Sequence, residues 1–151
     1  MRERLQIKVL PNYERILYAT DGSYTAQQAG KHAVYLAQRS NAQLIVLYVV
    51  PNSLTKQLSF LLRGAMSEEM KLAKQSTDEI VGLANESGVE SLPIIERGHF
   101  GEVLQNIATR FDVDLIVMSS KGGEDLQRIF HAARLGSAPL WAARPVCVIM
   151  C

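Results

Sequence analysis

Cysteine is scarce in this chain: two in 151 residues, Cys147 and Cys151. They lie four apart in what reads as one strand, so their Cα atoms stand roughly 13 Å apart at about 3.3 Å per residue. A disulfide needs less than about 7 Å. The pair fits a reducing compartment and reads as small core or edge residues. An excess of either charge is also missing. Sixteen basic residues face 15 acidic ones, a net charge of +1, and this argues for neither a nucleic-acid nor a membrane partner. Long apolar runs are absent too. The longest, Leu44 to Val50, has seven residues, far short of the roughly 20 that span a bilayer. The start, Met1-Arg2-Glu3-Arg4-Leu5-Gln6, has no apolar core of the kind a secretory signal needs. The expected location is cytoplasmic.

The familiar catalytic constellations are missing as well. His32, His99 and His131 have no metal-ligand spacing among themselves or with cysteine. No serine sits in a Gly-x-Ser-x-Gly elbow. The glycine pattern of a dinucleotide site does not follow the first apolar run, where Asp21-Gly22-Ser23 stands instead. No full Gly-x4-Gly-Lys-Ser/Thr phosphate loop occurs. These absences count against a hydrolase, a metalloenzyme and a dehydrogenase.

What is present is a regular alternation. With 48% hydrophobic and 21% charged residues the composition suits one globular domain large enough to bury a core. Residues 1–12 read as a lead-in, an edge strand or a tail, and 13–151 as the domain. Ile16 to Thr20 is a short buried strand. A helix follows from Ser23 or Thr25, where Thr25 and Gln28 have capping-box spacing. Ala26, Ala29, Ala33, Val34 and Ala37 give that helix a narrow apolar stripe. Leu44 to Val50 is a strand stopped by Pro51. Residues 51–65 read as a helical turn or lid, and 67–86 as a long helix ended by Gly88. Leu92 to Glu96 is a strand placed near an edge by Pro93. Val103, Leu104, Ile107, Ala108 and Phe111 mark the next helix. Asp114 to Met118 is a buried strand, Leu126 to Ala133 a helical piece, and Val146 to Met150 the last strand. Strands alternating with helices predict an α/β fold, a single doubly wound parallel sheet.

Two loops at strand carboxyl ends are candidates for chemistry: Ala19 to Ser23 and Met118 to Gly123. If the first and fourth strands are neighbours where the strand order reverses, both loops flank one crevice. Asp21 then has two readings, a ribose hydrogen-bond acceptor and a cap on the first helix. Backbone N–H groups of Ser120 to Gly123 can face a phosphate, and Lys121 can offer it a charge or stay solvated.

The run Ile16 to Ser23, the Leu44 to Val50 strand, Gly98, Asp112 to Met118 and Pro145-Val146 together resemble the universal stress protein family, over about Tyr13 to Met150. The resemblance implies a five-stranded sheet of order 3-2-1-4-5. It also implies a small cytoplasmic homodimer in a family where many members bind ATP. The ATP-binding branch carries Gly-x2-Gly-x9-Gly-Ser/Thr after strand four. Laid on this chain, those positions are Ser119, Gly122, Ala132 and Ala133, and only Gly122 matches. Gly136-Ser137 lies four residues further on, as a displaced helix start or a helix stop. The expectation is therefore a dimeric, non-catalytic stress-response or regulatory protein with a degenerate nucleotide site and no cofactor. The alternative is a genuine binder of ATP or AMP, with or without magnesium, using Asp21, Val49, Ser119, Lys121 and Gly122. A slow nucleotide hydrolase is the poorest fit, for want of a general base or metal set. The expected dimer contact is Val146 to Met150, an uncharged edge strand able to pair antiparallel with a second copy.

Overall fold

The computed structural model describes residues 12–51, 68–120 and 144–150. Within them lie five strands and three helices: β1 (Arg15–Thr20), α1 (Tyr24–Ser40), β2 (Gln43–Val50), α2 (Glu68–Glu86), β3 (Ser91–Arg97), α3 (Phe100–Arg110), β4 (Leu115–Ser119) and β5 (Val146–Ile149). Residues 1–11 of the lead-in, the lid at 52–65 and the helical piece at 126–133 fall outside the described residues.

The five strands form one parallel sheet of order β3-β2-β1-β4-β5, the doubly wound α/β arrangement. Strand alternation divides the core in two. Ile16 and Tyr18 of β1, Leu44 and Val46 of β2, and Leu115 and Val117 of β4 pack with α1 and α2. Leu17, Ala19, Ile45, Leu47, Ile116 and Met118 pack with α3 on the other face. A strand buried on both sides must be apolar throughout, and this explains the continuous runs. The alanine stripe lets α1 lie close. At Gly30 even a methyl group would stand 2.5 Å from Ile80 Cδ1 and 2.9 Å from the Tyr18 ring.

All three helices stop in the same way. Ala42 N–H donates to Ala37 O at 2.9 Å, Val89 to Ala84 O at 2.8 Å and Val113 to Ala108 O at 3.0 Å. In each case the residue before the donor is left-handed: Asn41, Gly88 and Asp112. This is the Schellman ending, and its donor residue is buried each time. The chain leaves each helix already anchored to the core and enters the next strand.

The acidic pair at the start of β4 divides its work unequally. Asp114 Oδ2 accepts the N–H groups of Glu14 at 2.7 Å and Arg15 at 2.9 Å, tying the start of β1 to β4. Hydrogen bonds to a charged group contribute about 1.5–3 kcal/mol each. Asp112 pairs at 4.0 Å with Arg15 and 3.9 Å with Arg144, but its side chain is 85% exposed. Pairs of that kind contribute about 0–1 kcal/mol.

The two sheet edges differ. Leu44 N–H donates to Glu90 O, and a parallel ladder then gives even-numbered β3 residues to β2 and turns odd-numbered ones outward. Pro93, whose nitrogen faces that outer edge, removes a donor from it. On the far side Ile116 N–H donates to Pro145 O, so the backbone groups of Val146 and Val148 face away from β4.

One buried side-chain polar atom is unsatisfied among the described residues, Ser91 Oγ. A desolvated hydroxyl without a partner destabilises by about 1–3 kcal/mol. Ser91→Ala is therefore expected to raise the urea midpoint at an unchanged m-value. A lower midpoint would mean that the hydroxyl is bonded in solution.

Candidate functional site

The strand order reverses at β1, which has β2 on one side and β4 on the other. Pairing with β2 runs to Thr20–Tyr48. Pairing with β4 runs from Ile16–Leu115 to Tyr18–Val117. Beyond that pair lie Ala19 to Asp21 on one lip and Met118 to Ser120 on the other. A doubly wound sheet offers ligands the crevice at such a switch point.

The first lip is built by short-range bonds. Asp21 Oδ1 accepts Ser23 N–H at 2.9 Å, an Asx turn. Ser23 is the N-cap of α1, and its Oγ accepts Ala26 N–H at 3.2 Å. The cap is thus Ser23, neither Asp21 nor Thr25, because the Asx turn at Asp21 sets the entry two residues earlier than the Thr25–Gln28 spacing suggests. Gly22 sits at φ +81, and a Cβ there would stand 2.8 Å from Ser76 Oγ and 3.1 Å from Leu72 Cγ. Only glycine allows both the turn and the close approach of α2.

Behind this lip lies a buried polar cluster that no sequence motif announced. Thr20, Gln27, Ser76 and Thr77 are all under a tenth exposed. Gly22 N–H donates to Thr20 Oγ1 at 3.0 Å, and Thr20 Oγ1 donates to Gln27 Oε1 at 2.7 Å. Gln27 Nε2 donates to Ser76 O at 3.0 Å and Glu79 Oε2 at 3.3 Å. The Tyr18 hydroxyl donates to Ala26 O. The signal available in the sequence was a glutamine beside the alanine stripe of α1, at a position that proves buried.

Burial pushes the Tyr18 phenol above its ordinary value. A hydrogen bond with Thr20 works against this, and Asp21 and Glu79 add to it. Burial likewise pushes Tyr48 up, with Glu69 and then Asp21 adding. Among the described residues, the charges that raise these two phenols are the carboxylates Asp21, Glu69 and Glu79.

The second lip is tighter than a free loop. Ser119 is the last residue of β4, fully buried and in register with Ile149. Ser120 N–H donates to Ile149 O at 3.1 Å. The first amide of the expected Ser120–Gly123 phosphate cradle is therefore spent on sheet pairing. Lys121, Gly122, Ala132, Ala133, Gly136 and Ser137 lie outside the described residues. Val49 is on the far side of β1, its side chain packed into the α3-face core. Asp21 and Ser119 lie at the carboxyl ends of the neighbouring strands β1 and β4, while Val49 lies on β2 with its side chain in the α3-face core. A separate recess of about 340 Å³, lined by Gln38, Asn41, Gly88 and Glu90 among others, lies where α1 and α2 end. It belongs to the other end of the sheet. No group of three or more His, Cys, Asp or Glu able to hold a metal occurs among the described residues.

The family model described as Universal stress protein family matches residues 12–138. The universal stress protein Sll1388 of Synechocystis is 27% identical over 131 residues, which span 78% of this chain and 85% of that one. Universal stress protein UspA from Lactobacillus plantarum is 26% identical with a TM-score of 0.65, over 93% of this chain and 99% of its own. The universal stress protein from Archaeoglobus fulgidus in complex with dAMP has a TM-score of 0.64 over 91% of this chain and 98% of its own. At 18% identity that likeness shows the fold alone.

The Tyr18 shift has a consequence for stability. Its folded-state value lies above the ordinary 10.0, so the unfolded chain ionises first as pH rises. Stability is complete below about pH 10 and falls above it, by up to about 1.4 kcal/mol per pH unit for one group. Tyr18→Phe is expected to reduce the slope of this alkaline limb in denaturation measured between pH 9 and 11. An unchanged slope would assign the limb to other groups.

Proposed function

Since this chain belongs to the universal stress protein family, we propose that it acts as a dimeric stress-response or regulatory protein, without catalysis, whose adenine-nucleotide site is degenerate. The observation that carries the reading is Ser120 N–H, engaged with Ile149 O. A phosphate cradle works by presenting unpaired amides, and this one begins with an amide already bonded. Fully buried Ser119, in a glycine's place, supports the same reading. So do Ala132 and Ala133, which stand where the ATP-binding pattern has glycine and a hydroxyl. The site residues proposed for what binding remains are Asp21, Val49, Ser119, Lys121 and Gly122, with Val49 contributing through its backbone. The proposed setting is cytoplasmic, and no helix among the described residues is long and apolar enough to cross a membrane. A working ATP or AMP site is favoured by one feature, the switch-point crevice with Asp21 on its lip.

The proposed dimer contact is β5. It lies at the end of the sheet order, its residues are half-buried and Met150 is 82% exposed. The outward N–H and C=O of Val146 and Val148 suit antiparallel pairing with the same strand of a second copy.

Calorimetric titration with ATP and magnesium is expected to give a dissociation constant of about 10 μM or weaker. Sub-micromolar binding would overturn the degenerate reading. Ala132→Gly combined with Ala133→Ser is expected to tighten it. No gain would place the fault in the bonded Ser120 amide instead.

Val148→Pro removes one outward N–H from β5 and leaves the bonds to β4 intact, as Pro93 does on β3. Sedimentation is expected to show the parent as a dimer and this variant as a folded monomer. A parent that stays monomeric at high concentration, or a variant that stays dimeric, would exclude β5 as the contact.

A further inference from the structure

We propose that Gln27 is a positioning residue, which fixes the β1–α1 loop bearing Asp21 and ties the placement of that loop to α2. Gln27 does not touch the crevice and makes its bonds inward. It is 7% exposed, yet its amide reaches both neighbouring elements. The oxygen faces β1, accepting from Thr20 Oγ1 at 2.7 Å. The nitrogen faces α2, donating to Ser76 O at 3.0 Å and Glu79 Oε2 at 3.3 Å. Only this orientation satisfies the group. A flipped amide would set its oxygen against two acceptors.

The orientation propagates. The Thr20 hydroxyl proton is committed to Gln27, so the lone pairs of the oxygen are turned toward Gly22 N–H, 3.0 Å away. That bond holds the left-handed Gly22, and the next amide, Ser23 N–H, is held by Asp21 Oδ1. Gln27 therefore sets Thr20, Thr20 sets Gly22, and Gly22 sets where the carboxylate turn begins. A second contact runs beside the first: the bare Cα of Gly22 lies under Ser76 and Leu72 of α2. A shift of α2 along its axis would move Ser76 O and Glu79 against the amide and press on Gly22 together. The loop cannot hold its present form with α2 displaced. This makes α2 the element through which an event elsewhere in the molecule reaches Asp21.

Amide hydrogen exchange by NMR on the full chain tests this without any nucleotide, so its outcome is independent of whether the crevice binds one. In Gln27→Met, exchange at Gly22 and Ser23 and at Thr77 to Ile80 is expected to rise about tenfold more than at Ile116 and Val117, which report global opening. Thr20→Val should release Gly22 but leave Thr77 to Ile80 as in the parent. Thr20→Ser, which keeps the hydroxyl, should restore Gly22. A uniform rise at all sites in Gln27→Met would reduce Gln27 to a stability role and overturn the proposal. So would an unchanged Gly22 in Gln27→Met. If Gln27→Met fails to fold, the Thr20 pair decides: loss of Gly22 protection in Thr20→Val with recovery in Thr20→Ser supports the relay, and equal exchange in both refutes it.

Discussion

The structure depends on holding β1, a strand buried on both faces, at its two ends. Its middle is held by apolar packing that has no direction, since Ile16, Leu17, Tyr18 and Ala19 are fully buried. Such packing resists removal but does little against a slide along the strand. Direction comes from polar groups at the ends. At the start, Asp114 accepts two consecutive amides of the chain entering β1. At the exit, Thr20 and Tyr18 are tied to α1, through Gln27 and Ala26 O. Moving β1 by one residue would break both anchors and turn each core face to the wrong layer. The Asp114 anchor fixes the register of β4 against β1.

The same anchors account for the character of the crevice. The opening at the switch point is a product of topology, and any chain with this strand order has one. What the opening can hold depends on which backbone groups are left unpaired at its lips. On the β1 side Gly22 and Ser23 amides are bound to side chains of their own loop. On the β4 side the Ser120 amide is bound to β5. These three amides of the described rim are committed to protein acceptors, which is the ground for the weak anion binding proposed above.

Elements were legible in the sequence where a physical demand was local. The runs Ile16 to Thr20, Leu44 to Val50 and Asp114 to Met118 read as buried strands and strands stand there, the last beginning at Leu115, and the alanine positions of α1 are all buried as expected. Pro93 announced its edge. Strand order was not local, and only the family resemblance supplied it. Ser119 looked like loop because its strand ends where β5 ceases to pair, a fact held some thirty residues downstream. The choice among Asp21, Ser23 and Thr25 as the cap turned on an Asx bond that spacing does not reveal. Gln27 was silent for the same reason: a polar residue near an apolar stripe acquires meaning only when α2 arrives to receive its amide.

Pro93 has a consequence for assembly size. A parallel sheet with two receptive edges can add copies without limit, and that is the route to fibres. Here one edge carries a residue that cannot donate, and the other, β5, does not. Joining two copies through β5 leaves Pro93 and its symmetry mate at the two outer margins. The sheet of the proposed dimer would have ten strands, five from each copy, and each outer margin would lack the donor that Pro93 removes. In the proposed dimer a proline placed 53 residues before β5 begins would work as a chain stopper, weakening the margin at which further copies could add.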